Sequence, residues 1–274
     1  MKSKNNLDTD NEIFASSLAD GVLVIRQKQH IQHLTHDINS IFVFYDYLES
    51  ILSSNKLKSL VMIARADSGE HLEHSRLLCK ARAKKREQMF VDRFSNVVNK
   101  LILTLSAVNG ITIYAGRGSI SLFHLNVSLA YDYRIVAEGT VFENLNADFG
   151  MITKGSGYFM PRLLGVKKAS EVLQWKSFSA ENALQLGLVD RIVPSSKLEE
   201  ETTNFVSASL AGPVSPLLGI RKLLKCDMNE LQHSLELEDL IIKERLDSDN
   251  FKKDFAKYCI KKFGWDIDML RAER

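Results

Sequence analysis

Apolar positions along this chain fall into two patterns. Short unbroken runs read as buried strands: 21–25 (Val22, Leu23, Val24, Ile25), 58–64 (Leu60, Val61, Met62, Ile63), 131–137 (Ile135, Val136, Ala137) and 189–193, stopped by Pro194. The run Leu101, Ile102, Leu103, Thr104, Leu105, Ser106, Ala107, Val108 predicts a further buried strand ending at Asn109-Gly110. Elsewhere the spacing is three and four. Ile38, Ile41, Phe42, Tyr45, Leu48, Ile51 and Leu52 mark an amphipathic helix, with Asp37 placed to cap it. Helical patterns dominate after Gly157: 158–164, 167–175, 180–186, 199–210, 217–224, 228–246 and 251–263. All four prolines fall at or after Pro161. The pattern therefore predicts a sheet-bearing part followed by a helical part, with a right-handed parallel strand–helix–strand unit near the start.

Residues 101–150 organise the rest. They read as strand, glycine-bearing turn (Tyr114-Ala115-Gly116-Arg117-Gly118), apolar helix to Ala130, and strand. In α/β units of this kind a site sits beyond the carboxyl ends of the strands, where helix N–H groups are free. Gly69, after the strand at 58–64, marks a second special turn.

The division expected is a flexible start (1–12), a core (13–194) and a helical oligomerisation region (195–274). The 274 residues suffice for one large domain. With 36 basic and 34 acidic residues, no bulk field argues for nucleic acid or a membrane surface. No apolar run reaches the length of a membrane span, and the first residues lack a signal-peptide core. Cys79, Cys226 and Cys259 are far apart and odd in number, as reduced thiols of a cytoplasmic protein would be. His30, His33 and His36 could share a helix face, but with only Asp37 beside them they read as loop and helix start rather than a metal site. The basic run Arg76, Lys80, Arg82, Lys84, Lys85, Arg86 reads as a solvated helix face, because no aromatic residues interleave with it. No metal or redox cofactor is implied.

Five segments together resemble the enoyl-CoA hydratase/isomerase (crotonase) superfamily. They are Ala107-Val108-Asn109-Gly110, Asp132-Tyr133-Arg134-Ile135-Val136-Ala137, Pro161-Arg162-Leu163-Leu164-Gly165, Ser179-Ala180-Glu181-Asn182-Ala183-Leu184 and Gly187-Leu188-Val189-Asp190-Arg191. The resemblance implies a crotonase-like α/β spiral of ββα units with a C-terminal helical trimerisation region. It implies acyl-CoA or acyl-carrier thioesters as substrates, no bound cofactor, and a homotrimer or hexamer. In that chemistry two backbone N–H groups hold the thioester oxygen as it becomes an enolate, and carboxylates move protons.

Carried over residue by residue, the first oxyanion N–H falls at Ser68, beside Gly69. The second falls at Ala115, beside Gly116, counting forward from Gly110, and at Phe123 counting backward from Asp132; the glycines favour the turn at 114–118. The first hydratase glutamate falls at Gly118 or Asn126, the second at Asn146, so neither is acidic. Plain hydration of an enoyl-CoA is therefore not expected. Glu143, Asp148, His124, Tyr114 and His71 are the alternative proton carriers; Lys154 could bring positive charge to the acyl pocket. Lys28, Lys257, Lys261 and Lys262 are candidates for the CoA phosphates. The competing expectation is a catalytically degenerate CoA-binding or scaffold member of the same family.

Overall fold

A computed structural model describes residues 7–31, 34, 37–65, 88–224 and 227–265. Strands β1 (Thr9–Asp10), β2 (Phe14–Ala19) and β3 (Val22–Gln27) form an antiparallel meander. Helix α1 (Ile38–Leu52) then crosses to β4 (Ser59–Ile63), which pairs parallel to β3, as the strand–helix–strand pattern predicts. Asp37 caps α1 by accepting from the N–H groups of Asn39 and Ser40.

The next described element is a correction. Residues 101–108 form no strand; up to Ala107 they are the last two turns of α2 (Gln88–Ala107). The longer window explains it: Val91, Phe94, Val97, Val98, Leu101, Ile102 and Leu105 are all buried and recur at helical spacing. An eight-residue apolar run cannot by itself separate a buried helix from a buried strand.

The chain continues through β5 (Ile111–Gly116), β6 (Ser119–Ser121), α3 (Leu122–Ser128), β7 (Tyr133–Ala137) and β8 (Val141–Glu143). Helices α4 (Ser156–Leu164) and α5 (Val166–Val172), strand β9 (Ser177–Ser179), α6 (Ala180–Gln185) and β10 (Arg191–Val193) follow. Four helices close the described chain: α7 (Leu198–Leu210), α8 (Val214–Leu223), α9 (Met228–Asp247) and α10 (Asp249–Phe263). The main sheet runs β1-β2-β3-β4-β5-β7-β10, parallel from β3 onward; β6, β8 and β9 form a second, smaller sheet.

Strand β5 lies at the centre and is buried on both faces. Ile111, Ile113 and Ala115 face one apolar cluster with Leu198 and Val206 of α7. Tyr114 faces the larger cluster beneath α1 and α2. A third cluster joins Phe149 and Met151 to Phe251 and Phe255 of α10. Two ion pairs brace the sheet's lower edge. Asp132 accepts from Arg221 Nε at 2.7 Å and from the Thr112 N–H at 2.7 Å, and the buried Arg134 pairs with Asp190 at 3.0 Å. Asp132 is thus a structural residue.

The start of the chain is more ordered than expected from residue 7 onward. Leu7 is buried, its carbonyl accepts from Ser16 Oγ at 2.7 Å, and β1 pairs with β2. His30 is also buried rather than in a polar loop, while His33 and His36 lie outside the described residues.

Candidate active site

Helix α3 stands where the two sheets meet. Its first turn follows β6 directly, and Ser121 caps it, accepting from the His124 N–H at 3.2 Å. The N–H groups of that turn have no partner within the helix. The residues that the glycines suggest for the second oxyanion donor lie outside this helix. Ala115 and Gly116 lie in β5, in register with both neighbouring strands, and the Ala115 carbonyl accepts from the Ala64 N–H at 2.8 Å. Glycine at 116 serves packing: a Cβ there would lie 2.8 Å from Tyr114 Cε1 and from Ile120 Cδ1. The backward count, which gives Phe123, lands in the first turn of α3. Ser68 and His71, like the basic run at 76–86, lie outside the described residues.

Two cavities flank α3. The first, about 40 Å³, is bounded by Phe94 and Ser95 of α2, Phe123 of α3, Asn146, Thr153 and Lys154, with Ile242 and Leu246 of α9 closing it. Asn126, fully buried, donates from Nδ2 to Thr153 Oγ1 at 3.2 Å and to the Lys154 carbonyl at 3.3 Å. Its Oδ1 has no hydrogen-bond partner among the described residues. Asn146 Nδ2 donates to the Ile152 carbonyl at 3.1 Å. Both amides therefore hold the segment that leads into α4, one from each side. The second cavity, about 80 Å³, lies beneath α1 and is lined in part by Gln27, Met62, Tyr114, His124 and Tyr131.

Of the other candidate proton carriers, Tyr114 and His124 line the second cavity, while Glu143 and Asp148 line neither. Glu143 accepts from Ser119 Oγ at 2.7 Å in the small sheet. Asp148 reaches Lys176 at 3.4 Å on the surface. His124 Nδ1 lies 3.4 Å from Ser121 Oγ, and the ring packs 5.8 Å from that of His30. Lys28 binds Asp10 and the Asn11 carbonyl; Lys257 lies 4.0 Å from Asp254, and Lys261 and Lys262 are exposed at the end of α10.

Lys154 borders the chamber, but its ammonium is held by α9. It is buried, donating to the Leu235 carbonyl and to Asp239 Oδ1, each at 2.6 Å, with Glu238 Oε2 at 3.8 Å. Glu238 accepts from the N–H groups of Gly155 at 2.7 Å and Gly157 at 2.6 Å. It thereby occupies the start of α4, where a negative charge is favoured. Asn99 Nδ2 completes the group by donating to Asp239 Oδ2 at 2.7 Å. Burial pushes the Lys154 ammonium pKa down and the Glu238 carboxyl pKa up. Sequence reasoning found Lys154 but not its partners, which lie more than 80 residues downstream.

A main sheet met by a small second sheet, with a capped helix at their junction, defines the crotonase class of α/β fold. A family model described as Enoyl-CoA hydratase/isomerase matches residues 64–266, and the chain belongs to that family. It is 22% identical over 173 residues to a trans-2-decenoyl-[acyl-carrier-protein] isomerase of Streptococcus mutans, covering 62% of this chain and 66% of the isomerase. It is 29% identical over 121 residues to the fatty acid oxidation complex subunit alpha of Pseudomonas syringae, covering 43% of this chain and 16% of that subunit. The chain thus spans less than two thirds of the length of these curated relatives. Among solved structures, an enoyl-CoA hydratase from Bacillus halodurans superposes with a TM-score of 0.74 at 20% identity, covering 89% of this chain and 98% of the other. An enoyl-CoA hydratase from Mycobacterium avium gives 0.71 at 17%, covering 91% and 96%. Among the described residues no helix is long and apolar enough to cross a membrane, and no cluster of side chains could hold a metal ion.

Proposed function

We propose that this chain is an acyl-thioester enzyme, acting on a CoA or acyl-carrier substrate, whose reaction moves one proton rather than adding water. The observation that carries this reading is that the hydratase glutamate positions given by the resemblance, Gly118 or Asn126 for the first and Asn146 for the second, hold no carboxylate. Neither a glycine nor an amide can act as an acid or base near neutral pH, and each lost acid–base group removes about 10²–10⁴-fold of rate. The first-turn N–H of Phe123 supplies one oxyanion donor, which stabilises the enolate whatever becomes of it. His124, on the same turn and lining the second cavity, is the proton carrier. Migration of a double bond along an acyl chain needs this much and no activated water; the similarity to a decenoyl isomerase supports that choice.

The chain acts as a homotrimer or hexamer in this reading. The exposed Ile220, Leu223 and Leu224 of α8 and Leu237, Leu240 and Ile241 of α9 support it, and sedimentation of the purified protein tests it. The CoA or carrier phosphates would draw on surface lysines such as Lys257 and Lys261.

A second reading, binding without chemistry, is favoured by the hydrogen bonds that tie both amides to residues 152–154. Deuterium uptake from D₂O into bound acyl-CoA, followed by NMR, separates the two. Exchange that falls about 10²–10⁴-fold in His124→Gln, with ligand affinity kept, supports the enzyme. Thioester binding without exchange in the parent protein moves the conclusion to the binding reading.

A further inference from the structure

The second cavity has no part in the amide chamber, and its shape assigns it a ligand. Its floor is Leu48, Ile51, Leu60, Leu101, Leu105 and Tyr131, all buried. Its half-buried lining residues are Ile13, Gln27, Gln29, Phe44, Met62 and His124, of which Gln27 and Met62 stand at the carboxyl ends of β3 and β4. The cavity thus runs from the carboxyl ends of the parallel strands down beneath α1, the side on which ligands of open α/β sheets bind. Water is a poor occupant of a space with so apolar a floor, because each buried water needs two to four polar partners. The volume of about 80 Å³ takes several groups of water or methylene size, since about 10–15 Å³ of such space admits one. One of the lining side chains, Thr104, is 2% exposed, and its Oγ1 has no hydrogen-bond partner among the described residues.

The geometry points to this cavity as the seat of the substrate's alkyl tail, so that the chain selects acyl groups with an apolar tail beyond the reacting carbons. This assignment rests on the thioester reading above and names its acyl class. A tail entering past Gln27 and Met62 runs alongside His124. The neighbouring amide chamber is half that size, about 40 Å³.

Calorimetric titration with free CoA, acetyl-, butyryl-, hexanoyl- and octanoyl-CoA tests it. Affinity should rise about fourfold per added methylene from butyryl through octanoyl, the ~0.8 kcal/mol of a buried CH₂. Thr104→Leu, which fills the floor, should abolish the rise and leave free CoA binding unchanged. Leu48→Phe is the second filling variant, and melting curves establish that either is folded. Equal affinity for free CoA and every acyl-CoA overturns the tail assignment and leaves the thioester reading standing. If no CoA compound binds, n-alkanols from butanol to octanol are titrated by thermal shift. Stabilisation of the parent protein but not of Thr104→Leu keeps the cavity as an apolar-chain site while the thioester reading falls. Absence of that difference overturns both.

Discussion

The amide chamber and the ion cluster behind it share one segment, residues 153–157, and treat charge in opposite ways. Bordering the chamber, the uncharged amides of Asn126 and Asn146 are buried and hydrogen-bond to residues 152–154. Behind it, Lys154, Glu238 and Asp239 are buried together, and Glu238 occupies the start of α4. Ionisable groups taken out of water are costly unless paired and hydrogen-bonded. Here that cost is met at a joint between the core and α9, not at a reacting centre. A perturbed buried charge therefore marks an active site only when it faces a space a substrate can enter, and Lys154 faces a helix.

The largest test of this contrast is Glu238→Ala. It strips Gly155 and Gly157 of their acceptor and removes a carboxylate from beside Lys154, so urea denaturation should show a loss of about 3–5 kcal/mol. A loss under about 1 kcal/mol would mean the joint does not hold α9. Replacing the cation instead, Lys154→Met leaves Asp239 with Asn99 and should cost about 3 kcal/mol. Smaller again is the dependence on pH. The Glu238 carboxyl sits above its ordinary value of 4.5 in the folded chain. The folded state therefore binds more protons than the unfolded one just above pH 4.5, and Glu238's contribution to stability falls as pH rises through that window. Glu238→Gln should remove this component from a melting-temperature profile between pH 4 and 7. The smallest effect belongs to the chamber. Asn146→Ala loses one hydrogen bond to the Ile152 carbonyl, about 1 kcal/mol in a chemical melt. It should leave thioester affinity unchanged; a large drop in affinity would give Asn146 a direct hand in binding.

What the sequence disclosed follows the range of the interactions involved. Helices with their own local signals, such as α1 behind Asp37 and the run from α7 to α10, stand close to where periodicity places them. The error at 101–108 came from reading too short a window, since the helical period becomes visible only from Val91 onward. Strands β1 and β2 escaped notice because Ser16 and Ser17 interrupt the apolar pattern that a half-buried edge would show. At the site, Gly116 makes room for Tyr114, and Ser121 caps α3; the first is a packing contact that the glycine pattern alone does not distinguish from a turn. The ion cluster was illegible because nothing near Lys154 announces a partner 81 to 85 residues away.

That separation also has a meaning in time. During synthesis Gly155 leaves the ribosome 83 residues before the carboxylate that holds it. At about 5–20 residues per second, the wait is about 4–17 s. Throughout it, a lysine destined for burial must remain in water, and the chamber lacks the wall that Ile242 and Leu246 later provide. The nascent chain can assemble its sheet early, yet it completes a closed site only when nearly all of α9 has been made.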